Sequence, residues 1–283
     1  MNKKRKAPMP KFATRDGTNI RYKELGEGRP IILIHGWPLS GDSWDPVMME
    51  LADNGMRAIA YDRRGFGRSD HASDGYDYDT FSDDLADLID HLGLTENIGL
   101  AGFSMGGGEI ARYMSRHGAK GVSAAALISS VVPYMLKTDD NPDGVPDETF
   151  QEMTKGMTGD FRAFFTDFFK DFYGVGGPGT QVSEEERHWA WLTAMKSAQY
   201  ATLKSAAAFA YTDFRPDLKH INVPTLVIHG TEDKTVPIEA TGRQVAEKVE
   251  SATLIEYENE PHAVFATVTD RLAADLVEFF QKN

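Results

Sequence analysis

Short, continuous apolar runs recur along the chain at residues 31–34, 57–61, 98–103, 124–129, 225–229 and 253–257, separated by segments of helical periodicity. Strands buried on both faces of a parallel sheet need that continuity, whereas a half-exposed sheet would alternate apolar and polar positions. Alternation of strand and helix implies right-handed crossovers and an open α/β sheet. Ahead of these runs, residues 11–14 and 19–22 flank Arg15-Asp16-Gly17-Thr18. Its Asp-Gly centre predicts a tight turn, and so an antiparallel hairpin at the sheet edge.

From about Pro133 to Asp213 the strand pattern stops. Phe161, Phe164, Phe165, Phe168, Phe169 and Phe172 fall at three-to-four-residue spacing, which predicts an amphipathic helix with a wide apolar face. Most of these rings are expected in ordinary core packing, with one or two lining a pocket. Strand-like sequence resumes at Pro224, so the segment reads as a helical insertion in one α/β domain. The division is residues 1–133 and 214–283 as the core and 134–213 as a helical cap. An insertion there would lie over the carboxyl edge of the sheet, where open α/β folds bind ligands.

Composition narrows the function. A length of 283 residues suits one large α/β domain carrying an insertion. With no cysteine, neither disulfides nor thiolate metal sites arise, and a reducing, cytoplasmic setting fits. A net charge of −13, spread along the chain, disfavours nucleic acid and anionic membranes and favours a small-molecule substrate. The run Lys3-Lys4-Arg5-Lys6 is expected to be a solvated tail; no apolar stretch follows it to make a secretory signal. No apolar run approaches the roughly 20 residues that span a bilayer.

The chemistry begins at Gly102-Phe103-Ser104-Met105-Gly106, which directly follows the run 98–103 and precedes a helix-like stretch through Tyr113. In that setting G-x-S-x-G is a nucleophile elbow, a strand-to-helix turn so tight that small residues are needed two positions either side of the serine. Ser104 would then stand at a helix N-terminus, where developing negative charge is favoured. A serine hydroxyl needs a base, and in open α/β folds with this elbow an acid and then a histidine follow the nucleophile.

Eight histidines compete for the role of base. His35, His71 and His91 precede the serine, His117 ends the elbow helix, and His188 sits in a Glu-rich, solvated stretch. His220 and His229 flank or close the run 225–229, ahead of the best acid. His262 remains, in the loop after the last strand. Asp233, three residues past Gly230, is placed to accept the imidazole Nδ1–H; Glu232 is its nearest rival, and Glu256, Glu258 and Glu260 lie too near His262 in sequence. The oxyanion needs two N–H donors, one from the residue after the nucleophile and one from an earlier strand-end loop. Met105 supplies the first, and in His35-Gly36-Trp37-Pro38 the proline has no N–H, which points to Trp37. Trp37 and Phe103 are also expected to contact the substrate.

The blocks His35-Gly36-Trp37-Pro38-Leu39-Ser40, Tyr61-Asp62-Arg63-Arg64-Gly65-Phe66-Gly67-Arg68-Ser69-Asp70, Gly75-Tyr76-Asp77-Tyr78-Asp79-Thr80-Phe81, Gly102-Phe103-Ser104-Met105-Gly106-Gly107-Gly108 and Pro261-His262 resemble the bacterial cofactor-free haloperoxidases, also known as perhydrolases and arylesterases. The resemblance runs from the first hairpin to the last helix and is looser across the cap. It implies an α/β-hydrolase fold with a mostly parallel eight-stranded sheet, a triad of Ser104, Asp233 and His262, an oxyanion hole from Trp37 and Met105, and no metal, haem or other cofactor. Members hydrolyse small or aryl esters, and with hydrogen peroxide they turn short carboxylic acids into peracids that oxidise halide. They often form homo-oligomers. Pro38 after Trp37 is an arrangement of peracid-forming members, and Glu260 stands where small residues are common and is expected to face water. Dehalogenases and epoxide hydrolases of similar fold carry Asp where Ser104 stands. Lactone, amide or carbon–carbon hydrolysis, or a non-catalytic small-molecule receptor, would use the same framework.

Overall fold

Each apolar run becomes a strand of one eight-stranded sheet, completed by the N-terminal hairpin. The computed structural model describes residues 9–283, so the basic run at residues 3–6 lies outside the described residues. The strands are β1 (Lys11–Ala13), β2 (Asn19–Leu25), β3 (Arg29–Ile34), β4 (Met56–Asp62), β5 (Ile98–Phe103), β6 (Val122–Ile128), β7 (Thr225–Gly230) and β8 (Ala252–Tyr257). Their order across the sheet is β1-β2-β4-β3-β5-β6-β7-β8, with β2 antiparallel to both of its neighbours, β1 and β4, and the other pairs parallel. The inner strands β5 and β7 are buried along their whole length, as their unbroken apolarity requires, while the edge strand β8 is half-exposed.

Helices α1 (Asp45–Asp53), α2 (Tyr78–His91) and α3 (Met105–Arg116) alternate with the first strands. Between β6 and β7 lie α4 (Asp147–Gly159), α5 (Phe161–Phe172), α6 (Glu184–Ala194) and α7 (Gln199–Tyr211), and α8 (Gly242–Lys248), α9 (Val264–Thr267) and α10 (Thr269–Lys282) complete the chain. Several starts are set by side-chain caps: Asp77 accepts from the Thr80 N–H, Asp160 from Arg162 and Ala163, and Ser183 from Glu186. Each satisfies helix donors that have no intrahelical acceptor. The phenylalanine stripe behaves as its spacing predicts, with Phe165, Phe169 and Phe172 buried. Among the described residues, no helix is long and apolar enough to cross a membrane.

Candidate active site

Strand β5 ends at Phe103 and α3 begins at Met105, so Ser104 alone turns the chain. It does so at φ 53° and ψ −117°, a backbone conformation that costs a non-glycine residue about 1–3 kcal/mol. Packing enforces the turn. A Cβ on Gly102 would run into the Gly106 carbonyl, and one on Gly106 into the Ile34 carbonyl of β3.

The turn presents Ser104 Oγ 2.9 Å from His262 Nε2, while His262 Nδ1 lies 2.6 Å from Asp233 Oδ2. These three residues come from the ends of β5, β7 and β8, and all three are buried. Asp233 Oδ1 accepts from the backbone N–H groups of Thr235 at 2.9 Å and Val236 at 2.8 Å. Burial pushes the Asp233 carboxyl up, but the facing His262 and the hydrogen bonds from His229 and His262 outweigh it and hold it at about 2. The carboxylate therefore stays ionised throughout the working range and fixes a proton on His262 Nδ1, leaving Nε2 free to accept from Ser104.

Met105 opens α3, so its N–H has no acceptor within the helix. Neither it nor the Trp37 N–H donates to a backbone oxygen among the described turns and loops. The Trp37 loop is braced from below. Arg63, buried at the end of β4, donates its backbone N–H to His35 Nε2 at 3.0 Å and its guanidinium to the His35 carbonyl at 2.7 Å. The same guanidinium pairs with Glu109 of the elbow helix, which also accepts from Tyr61. His35 Nδ1 lies 2.9 Å from the Gly36 carbonyl, and burial, with Arg63 nearby, pushes its pKa well down. The ring is thus neutral, with its hydrogen on Nδ1. One ionic cluster thus joins the Trp37 loop to the helix that opens at Met105. Among the described residues no group of three His, Asp or Glu side chains is arranged to ligate a metal.

The family model described as alpha/beta hydrolase fold matches residues 29–267. A non-heme chloroperoxidase of Kitasatospora aureofaciens is 44% identical over 276 residues, which cover 97% of this chain and 100% of that protein. The chain belongs to the α/β hydrolases, in the non-heme chloroperoxidase and perhydrolase family. A bifunctional esterase/perhydrolase of Acinetobacter calcoaceticus is 40% identical to this hydrolase over 272 residues, 95% of this chain and 98% of that one. The bromoperoxidase of Bacillus anthracis superposes with a TM-score of 0.92 at 39% identity, covering 97% of this chain and 100% of that structure.

In this hydrolase, Ser104 and His262 open into a cavity of about 730 Å³, walled by Trp37, Phe168, Phe209 and aliphatic side chains such as Val131 and Met135. That volume lies well inside the usual range for small-molecule sites. Trp37 is locked by donating its indole N–H to the Thr202 carbonyl at 3.0 Å and by edge contacts with Phe168 and Phe209. Of the phenylalanine stripe, Phe164 and Phe168 reach the cavity.

Two expectations need correcting. Phe103 does not line the cavity; its ring packs against His262 at 4.9 Å and against Phe172 and Phe265, because the last residue of β5 points into the core beneath the histidine loop. Glu260 does not face water. It is buried and accepts from the Thr180 hydroxyl at 2.7 Å and the Thr180 N–H at 3.3 Å, since the glycine-rich segment after α5 folds over it. Its bonds run to Thr180 and none to His262. Sequence reasoning passed over His229, which lies 3.1 Å from Asp233. Its place at the carboxyl end of an inner strand was the available signal.

Proposed function

We propose that the chain is a serine hydrolase that cleaves small or aryl carboxylic esters through an acyl-enzyme on Ser104, and that hydrogen peroxide can replace water to release a peracid. The observation that carries this reading is the unbroken chain Ser104 Oγ, His262 and Asp233 on the floor of an apolar cavity. His262 takes the Ser104 proton as Oγ attacks the ester carbonyl, and the Trp37 and Met105 N–H groups receive the oxyanion. The proton passes from His262 to the departing alcohol. Water then attacks the acyl-enzyme, giving up a proton to His262, which hands it to Ser104 Oγ as the bond to the acyl group breaks and the carboxylic acid leaves.

With hydrogen peroxide as the attacking group, the product is a peracid. The peracid oxidises halide to hypohalous acid and returns to the carboxylic acid. Support comes from Pro38 beside the Trp37 donor, whose ring stiffens a loop carbonyl that can accept from the peroxide, and from the relatives' haloperoxidase and perhydrolase activities. No cofactor enters any step. The reading includes residues 134–213 as a cap over the core formed by 1–133 and 214–283, a cytoplasmic setting and self-association.

The test follows monochlorodimedone bromination with peroxide and bromide, with and without acetate, in wild type and Ser104→Ala. An acetate-dependent rate that survives chelators and vanishes in the variant is expected; a rate that ignores acetate or Ser104 rejects perhydrolysis. A panel of p-nitrophenyl esters of rising acyl length tests hydrolysis separately. The cavity volume predicts that kcat/KM holds or rises beyond acetate.

The pH profile should show one acid limb. Asp233, depressed from its ordinary value to about 2, is already ionised across the assay range and adds no limb there; the proposed base must lose its proton before it can accept from Ser104. Activity rises with pH as the ring becomes able to accept the Ser104 proton. A flat kcat/KM profile from mildly acidic to mildly basic pH would count against a histidine base.

A further inference from the structure

His229 is the penultimate residue of β7, and its ring is completely buried. Nε2 lies 2.9 Å from the Val236 carbonyl oxygen and 3.1 Å from Asp233 Oδ2, while Nδ1 has no hydrogen-bond partner among the described residues. Both neighbours of Nε2 are acceptors, so Nε2 carries the hydrogen; it donates to the Val236 carbonyl, with Asp233 Oδ2 beside that bond as a secondary, electrostatic contact. A proton on Nδ1 would be a buried donor with nothing to receive it, a costly state. The backbone of α8 closes that side, for a Cβ on Gly242 would come within 2.8 Å of Nδ1.

The other charged groups near this ring are accounted for. Glu256 stands opposite His229 in the β7–β8 register, and its carboxylate is exposed and paired with Arg243 of α8. His262 meets the same oxygen, Asp233 Oδ2, through its Nδ1 at 2.6 Å. The polar work of His229 is therefore directed at the Asp233–Val236 turn. Oδ1 of Asp233 is held by two backbone N–H groups, whereas the second nitrogen near Oδ2, besides His262 Nδ1, is His229 Nε2 at 3.1 Å.

We propose that His229 is a positioning residue for the hydrolytic reaction, its Nε2–H fixing the Asp233 carboxylate in line with His262 Nδ1 and drawing off part of the charge that His262 feels. The inference rests on the reading of Ser104, His262 and Asp233 as nucleophile, base and acid. It leads to a rate effect without a binding effect, because His229 does not line the cavity. It also sets a direction. Without the second donor, Asp233 concentrates its charge on His262, stabilises the imidazolium and moves the acid limb of kcat/KM to higher pH.

The experiment compares His229→Leu, which keeps bulk but loses the N–H, with His229→Gln, whose amide nitrogen reaches a similar depth. With a neutral p-nitrophenyl ester, His229→Leu is expected to lower kcat about 10- to 100-fold, the effect of removing one polar N–H contact from a charged group. KM should stay within about twofold, and the acid limb should move up. The downfield proton resonance of the His262–Asp233 hydrogen bond should shift or broaden as well. His229→Gln should restore most of the rate, the limb and the resonance. Wild-type kcat and pH profile in His229→Leu would overturn the proposal, as would a folded His229→Gln as impaired as His229→Leu. A wild type inactive on esters, or indifferent to Ser104→Ala, would instead reject the underlying hydrolase reading.

Discussion

Replacing Ser104 by alanine is expected to lower kcat for an activated ester by about 10⁴-fold or more, and His262→Ala by a similar factor, because in the proposed reaction the two act as one unit of nucleophile and base. The double variant should lose little beyond either single one. Asp233→Asn should cost somewhat less: the backbone bonds from Thr235 and Val236 hold the side chain in place, but an amide nitrogen turned toward His262 favours the wrong tautomer. Steady-state rates with p-nitrophenyl acetate, checked by active-site titration, measure all three. Retention of most activity by Ser104→Ala would show that the elbow does not supply the nucleophile.

Arg63→Ala is expected to destabilise the fold by about 3–5 kcal/mol, the usual penalty for leaving one partner of a buried ion pair uncompensated. Arg63 and Glu109 are both essentially inaccessible to solvent, at 1% and 0% exposure. Burial already pushes the Glu109 carboxyl up, opposed chiefly by Arg63. Urea unfolding followed by circular dichroism would show the loss directly. Because the guanidinium also holds the His35 carbonyl under Trp37, kcat should fall even at temperatures where the variant is folded. The paired change Arg63→Met with Glu109→Leu should recover most of the stability but not the rate, which separates the fold's need for neutrality from the site's need for the brace. A loss no larger than that of an exposed substitution would contradict this account.

The sheet was legible because it is written locally: a strand buried on both faces must be apolar at successive positions, and β3, β5 and β7 are. Ser104 was legible for a similar reason, since its tight turn demands small neighbours in fixed places. Asp233 and His262 followed from chain order. What escaped notice depends on contacts between distant segments. Glu260 is buried because Thr180, eighty positions earlier, supplies its donors. Phe103 belongs to the core because Phe172 and Phe265 close over it. Arg63 and Arg64 stood out as part of a family block, but nothing in the sequence pairs Arg63 with Glu109 or Arg64 with Asp84.

The segment that follows α5 is fastened to the histidine loop. The Ala263 N–H donates to the Phe172 carbonyl at 3.1 Å, Thr180 bonds to Glu260, and a Cβ on Gly174 or Gly179 would strike Pro261 or Asn259. The outer cavity wall, by contrast, draws on Met153 and Gly156 of α4 and Phe164 of α5. The insertion therefore has two kinds of sequence with different freedom to be exchanged. Grafting residues 147–168 from a relative should alter the range of accepted substrates and leave turnover of the smallest esters intact. Grafting 172–180 without its partners at 259–263 should displace the base itself, so divergence that retunes specificity has room in the first stretch and little in the second.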